Sequence, residues 1–314
     1  MNFLVTGGAG FIGSNIVEKL LNQGHSVKIL DNFATGKKEN ISDFLSKIDI
    51  IEGDIRDYHI VIKSVEDIDV ILHQAALPSV PRSVNNPITT NDVNVSGTVN
   101  LLNAAREKKV KRFIMASSSS VYGNNPELPK KESFYPNPLS PYAVSKLSGE
   151  YYLKVFSELY SMETIAIRYF NVFGPRQDPN SQYAAVIPKF INAIINDEQP
   201  IIYGDGYQSR DFTYIENVVE ANILAATKKI NGSSLIVNCA THSRITLNEL
   251  VEFINKYLGK EIKPLYTKER EGDVKHSFAD ITKISKELGY VVKVSFEEGL
   301  AKTIEYYLRQ NGNR

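Results

Sequence analysis

Tryptophan is absent from this chain of 314 residues, and cysteine occurs once. A single thiol permits no internal disulfide, so the fold must rest on a buried core and suits a reducing compartment. Cys239 lies in the apolar run LIVNCA, where it reads as a small buried hydrophobe rather than a nucleophile. Net charge is missing as well: Lys plus Arg and Asp plus Glu number 36 each. No long-range field is available to recruit nucleic acid or an anionic membrane, and any anionic ligand must be gripped by local charges. No apolar run approaches the roughly 20 residues that span a bilayer. The first strand begins near Asn2, which leaves no room for a charged and apolar leader. These absences predict a cytoplasmic globular protein, long enough to divide its core between a larger and a smaller domain.

What is present in the first half is alternation. Short β-branched runs at 2–6, 26–30, 69–73 and 111–117 are separated by helical patterns, one from about Ile12 and others at about 91–108 and 141–160. Such runs, apolar throughout rather than every second residue, predict parallel strands covered on both faces. The helix at 141–160 has a readable start, with Ser140 as N-cap and Pro141 at the first helical position. Beyond about 170 longer loops replace the alternation, and at 212–240 a helix followed by an apolar strand could return to the main sheet. We therefore expect an α/β fold in which 1–170, completed by 212–240, forms one domain and 171–211 with 241–314 the other.

TGGAGFIG places Gly7, Gly10 and Gly13 between a strand and a helix. Glycine is needed there for the tight turn, for backbone N–H groups that approach a pyrophosphate, and for close helix packing. Asp31 ends the next strand at the distance expected for a ribose-binding carboxylate, which would repel a 2′-phosphate and favour NAD over NADP. Phe11 and Ile12, then Asn32, Thr35 and Gly36, are further cofactor candidates. Asp54 and Ile55 follow for the adenine edge, and the small segment Gln74, Ala75 and Ala76 for backbone passing beneath the cofactor. His73 reads as a packed strand-end histidine.

Tyr142 and Lys146 in YAVSK share one helix face. Lowering a tyrosine pKa by about 3 units takes roughly 4 kcal/mol, which a neighbouring ammonium and a cationic nicotinamide ring can share. SSSSVYG closes the strand at 111–117, where a serine hydroxyl can share a proton with the tyrosine and a sugar hydroxyl.

TGGAGFIG, Asp31, HQAA, SSSSVYG, YAVSK and RYFNVFGPRQ together resemble the extended short-chain dehydrogenase/reductase family, in its sugar-nucleotide epimerase branch, over essentially the whole chain. The resemblance implies a Rossmann-type doubly wound parallel sheet with a smaller α/β C-terminal substrate domain, tightly held NAD, no metal, and a homodimer formed through the helices at 91–108 and 141–160. It implies 4-epimerisation of a UDP-sugar, with Ser118, Tyr142 and Lys146 catalytic. By the same resemblance Arg210 and Arg270 hold the diphosphate and Asp273 the uridine ribose. Ser119, Asn171, Ala185 and Tyr203 complete the substrate contacts. Relatives that dehydrate or decarboxylate carry acids where this chain has Ser118–Ser120, so hydride traffic at carbon 4 remains the expected chemistry. A UDP-glucuronate 4-epimerase is the first rival, although those relatives tend to carry threonine in place of Asn171. A catalytically silent NAD-binding regulator is the second, although such proteins typically lose the tyrosine or the lysine. Pro78 and Ser277 stand where glucose-restricted relatives place a lysine and a tyrosine, and the small Ser277 is expected to admit a 2-acetamido group.

Overall fold

The computed structural model describes residues 1–179, 185–269 and 275–312. Six strands, β1 (Asn2–Thr6), β2 (Ser26–Asp31), β3 (Asp49–Glu52), β4 (Val70–His73), β5 (Arg112–Ser118) and β6 (Glu163–Tyr169), join the strand Ser234–Cys239 in one sheet. All neighbours run parallel, in the order β3, β2, β1, β4, β5, β6 and Ser234–Cys239. This is the doubly wound arrangement. After β1 the chain builds outward on one side and after β3 it crosses to the other, so a crevice opens beyond the carboxyl ends of β1 and β4. The strand after the 212–240 helix does return to the sheet, paired to β6 from Ser234 to Cys239.

The apolar runs serve two layers at once. Phe3 and Val5 of β1 enter one core with Ile16, Val17 and Leu20 of α1 (Phe11–Asn22). Leu4 faces the opposite core with Val61 of α2 (Tyr58–Ser64). Both faces are covered, as parallel strands require. β3 was not foreseen, because IDIIE is too short and too exposed at the sheet edge to stand out.

The helix expected at 91–108 is broken into parts. After α3 (Val80–Asn85), α4 spans Pro87–Asn91, a single π turn covers Asp92–Ser96, and α5 resumes at Gly97–Glu107. The turn's wider winding aims Asn94 inward, where its side chain accepts from Leu77 N (2.8 Å) and donates to Ser145 Oγ (3.1 Å). The next helix, α6 (Pro141–Tyr160), starts as expected: Ser140 Oγ accepts from Ala143 N at 3.2 Å.

Beyond β6 the fold turns to short strand pairs, 172–173 with 213–214, 201–203 with 265–267 and 209–210 with 245–246. Helices Val186–Ile195, Leu247–Leu258 and Phe296–Gly312 pack around them. Phe173, Phe212 and Phe296 pack ring to ring at 5.7–6.2 Å between centroids, stacked for Phe212 on Phe296 and edge-on for Phe173 on Phe212, and join this part to the first core.

Candidate active site

A crevice of about 590 Å³ runs across the carboxyl ends of the central strands. It is lined by every residue that sequence reasoning assigned to the cofactor, from Gly7 to Lys146. Two glycines are dictated by contact. A Cβ on Gly13 would lie 2.1 Å from Gly7 O, and one on Gly7, whose φ is +68°, would lie 2.8 Å from Ala75 N. The loop from β1 can therefore fold flat against both α1 and the segment after β4 only without side chains. Gly10 is the N-cap of α1 and no side chain caps that end. Its N–H groups are positioned to receive an anion.

Asp31 is 7% exposed, and its carboxylate accepts from Ala9 N (2.9 Å) and Phe33 N (2.8 Å). Burial pushes its pKa up, partly countered by these two bonds. It thus braces the glycine loop against the end of β2 while still bordering the crevice. We expect Asp31→Ala to weaken NAD retention and to narrow the preference over NADP by about tenfold. Equilibrium binding of both dinucleotides checks this, and an unchanged ratio contradicts it. Asp54 accepts from Arg56 (2.8 Å) and Asn32 (2.8 Å), and chiefly the Arg56 bond holds its pKa down at about 2. His73 is structural as expected. Burial drives its pKa down to about 3, and Thr98, whose hydroxyl donates to Asn94 O, leaves His73 Nε2 as the donor to Thr98 and Nδ1 as the acceptor from Thr6.

On α6, Tyr142 and Lys146 point at the end of β5. The Ser118 hydroxyl lies close enough to the Tyr142 phenol to draw its pKa down. Lys146 is 6% exposed, and its Nζ donates to Ala116 O at 2.9 Å. Burial lowers its pKa to about 8. The expectation that the lysine lowers the tyrosine pKa is not met in the chain alone. Burial raises it and only the nearby Ser118 hydroxyl opposes this, since the ammonium is 5.9 Å from the ring centroid and is itself desolvated. Ser118 also accepts from Ser120 N and Ser120 Oγ, at 3.2 and 2.9 Å, which fixes it as the cap of a short 3-10 turn that begins at Ser119.

A second cavity of about 300 Å³ adjoins the first at Ala185, which lines both. Asn171, Tyr203 and Arg210 line it, whereas Pro78 lies on the larger crevice. Asn171, held at a φ of +34°, donates to Asp211 O (3.1 Å) and Ser277 Oγ (3.2 Å), so Ser277 meets the cavity through Asn171. Arg270 and Asp273 lie outside the described residues. Sequence reasoning missed Tyr169, whose hydroxyl bonds Gln74 Oε1 at 3.2 Å on the crevice wall, although it stands within the quoted RYFN. It also missed Phe190 and Gln208 of the smaller cavity. Phe190 reads as ordinary helix core, so no local signal was available.

The larger crevice fits NAD: glycine contacts that exclude a Cβ, an uncapped helix start, and an acid at the end of β2. The family model described as GDP-mannose 4,6 dehydratase matches residues 4–303. The chain is 41% identical over 313 residues, 99% of each chain, to a putative UDP-glucose 4-epimerase of Methanocaldococcus jannaschii. It resembles the structure of a UDP-N-acetylglucosamine 4-epimerase from Methanobrevibacter ruminantium in complex with UDP-N-acetylmuramic acid, with 46% identity, 98% of each chain covered and a TM-score of 0.92. A UDP-glucuronic acid 4-epimerase from Bacillus cereus, in complex with UDP-glucuronic acid and NAD, is 34% identical with a TM-score of 0.92, covering 99% of this chain and 100% of that one. The chain therefore belongs to the NAD-dependent epimerase and dehydratase family of extended short-chain dehydrogenase/reductase fold, alongside isomerases that are UDP-sugar 4-epimerases.

Proposed function

We propose that the chain interconverts 4-epimers of UDP-hexoses, both UDP-glucose with UDP-galactose and UDP-N-acetylglucosamine with UDP-N-acetylgalactosamine. The observation that carries this reading is the convergence of Tyr142 and buried Lys146 from α6 on the end of β5 next to Ser118, where the NAD crevice adjoins the cavity bearing Arg210. NAD, when bound, supplies the hydride acceptor and donor for carbon 4. Tyr142 takes the proton of the 4-hydroxyl, and Ser118 orients that hydroxyl and shares the proton. Lys146, tethered to Ala116 O, would hold the nicotinamide ribose of bound NAD. Arg210 grips the diphosphate with a planar fork, and the resemblance assigns Arg270 to the same diphosphate and Asp273 to the uridine ribose. With the nucleotide anchored, the 4-keto sugar can swing so that its other face meets the same reductant. Residues 1–170 with 212–240 carry the cofactor, and 171–211 with 241–314 the UDP-sugar.

Admission of the acetamido sugar rests on Ser277, whose small side chain lies against Asn171, a residue of the smaller cavity's lining. Ser277→Tyr should reject the N-acetylated pair by at least about tenfold in kcat/KM while sparing the plain hexoses. NMR assay of both pairs checks this. Equal loss on both, or none on either, contradicts it. UDP-glucuronate remains the second substrate reading, supported by the likeness to the Bacillus cereus enzyme.

We further propose a cytoplasmic homodimer. Among the described residues no helix is long and apolar enough to cross a membrane. Val84 (61% exposed) on α3, Ile88 (75%) on α4 and Leu159 (67%) on α6 give those helices an apolar outer face suited to a second copy. The expected partner helix differs in part, because α5 turns Leu101, Leu102, Ala104 and Ala105 inward.

A further inference from the structure

Glu150 and Arg168 form the most deeply buried ion pair among the described residues, with side chains 2% and 3% exposed. The guanidinium grips the carboxylate twice, Nε to Oε1 at 2.8 Å and Nη2 to Oε2 at 2.7 Å. Ser117 Oγ donates to the same Oε1 at 2.5 Å. Burying two charges returns little stability by itself, and an apolar pair of similar volume often serves as well. The return here is placement. Glu150 lies one turn beyond Lys146 and two beyond Tyr142 on the same stripe of α6. Arg168 lies on β6 directly across the ladder from Ser117, the residue before Ser118. One carboxylate therefore joins α6, β5 and β6 next to the reacting hydroxyls. The Lys146 bond to Ala116 O is the adjoining tether, one residue earlier on the same strand.

We propose that Glu150, oriented by Arg168 and bonded to Ser117, is a positioning residue. It sets the axial and rotational placement of α6 on β5, so that the Tyr142 phenol meets Ser118. The proposal rests on the 4-epimerase reading and deepens it. A generic core salt bridge would need no third partner on the strand end. Here the third partner is the neighbour of the residue that must share a proton with Tyr142.

The test is the double variant Glu150→Met/Arg168→Met, which removes both charges and leaves no unpaired ion, with Ser117→Ala as the milder companion. The double variant should fold and retain NAD and the wild-type KM for its UDP-sugar, while kcat falls about 10- to 100-fold, the cost of a misplaced reacting group. Ser117→Ala should lower kcat in the same direction while KM and NAD retention stay at their wild-type values. A crystal structure of the double variant should show the Tyr142 and Ser118 hydroxyls farther apart than in the wild-type crystal. Wild-type kcat in both variants, or an unchanged Tyr142–Ser118 separation in the crystal, overturns the proposal. If the double variant does not fold, Ser117→Ala decides alone, and unchanged kcat overturns it. Absence of turnover in the wild type would count against the 4-epimerase reading instead, and the separation in the crystal would still judge the placement.

Discussion

Tyr142→Phe is expected to lower kcat by at least about 100-fold, because a positioned general base contributes 10² to 10⁴ in rate. The substitution removes one oxygen from a partly buried ring, so the fold and the crevice should persist and NAD should stay bound. Turnover and NAD content, measured on the same preparation, check this. Near-normal turnover would remove Tyr142 from the chemistry. The raised pKa of the phenol in the chain alone sharpens the point. Activation must come with the cationic nicotinamide ring, so the tyrosine should titrate lower in the NAD complex than in protein stripped of it.

Lys146→Met is expected to act in opposite directions on stability and function. Burial lowers the lysine pKa from 10.5 to about 8, a difference worth about 3 kcal/mol at 1.36 kcal/mol per unit. Below pH 8 the lysine is charged in both folded and unfolded chains, and the folded state bears the full cost. Between pH 8 and 10.5 the folded chain has released the proton while the unfolded chain still holds it, so wild-type stability rises with pH through this window. In NAD-free protein at pH 7, Lys146→Met should therefore be more stable by about 1–3 kcal/mol, the lower end allowing for the lost bond to Ala116 O. The advantage should shrink toward pH 10.5, and activity should be largely lost. Denaturant unfolding at pH 7 and pH 10 checks the sign. A destabilised variant at pH 7 would mean that the lysine is not held at a cost.

How far the sequence reached follows from how local each feature is. The cofactor crevice was legible because its determinants sit within a few residues of one another. Gly7, Gly10 and Gly13 share one turn, Asp31 ends the adjacent strand, and Tyr142 and Lys146 are one helical turn apart. The start of α6 was legible from Ser140 and Pro141 alone. Features made by distant segments were not. Glu150 and Arg168 are ordinary charges in sequence, and only the packing of α6 on β6 pairs them. The π turn at Asp92–Ser96 carries no residue that marks it, since Asn94 reveals its role only through Leu77 and Ser145. The floor of the smaller cavity is likewise built from residues such as Phe190 that in sequence are indistinguishable from core.

The central claim is that hydrogen leaves carbon 4 and returns to the same carbon from the same cofactor. Incubation of the purified, NAD-loaded protein with UDP-glucose and UDP-N-acetylglucosamine deuterated at carbon 4, followed by NMR, tests it most directly. The account predicts formation of the 4-epimer with deuterium retained at carbon 4. No epimer from either sugar, or an epimer whose deuterium has washed out into solvent, would contradict it.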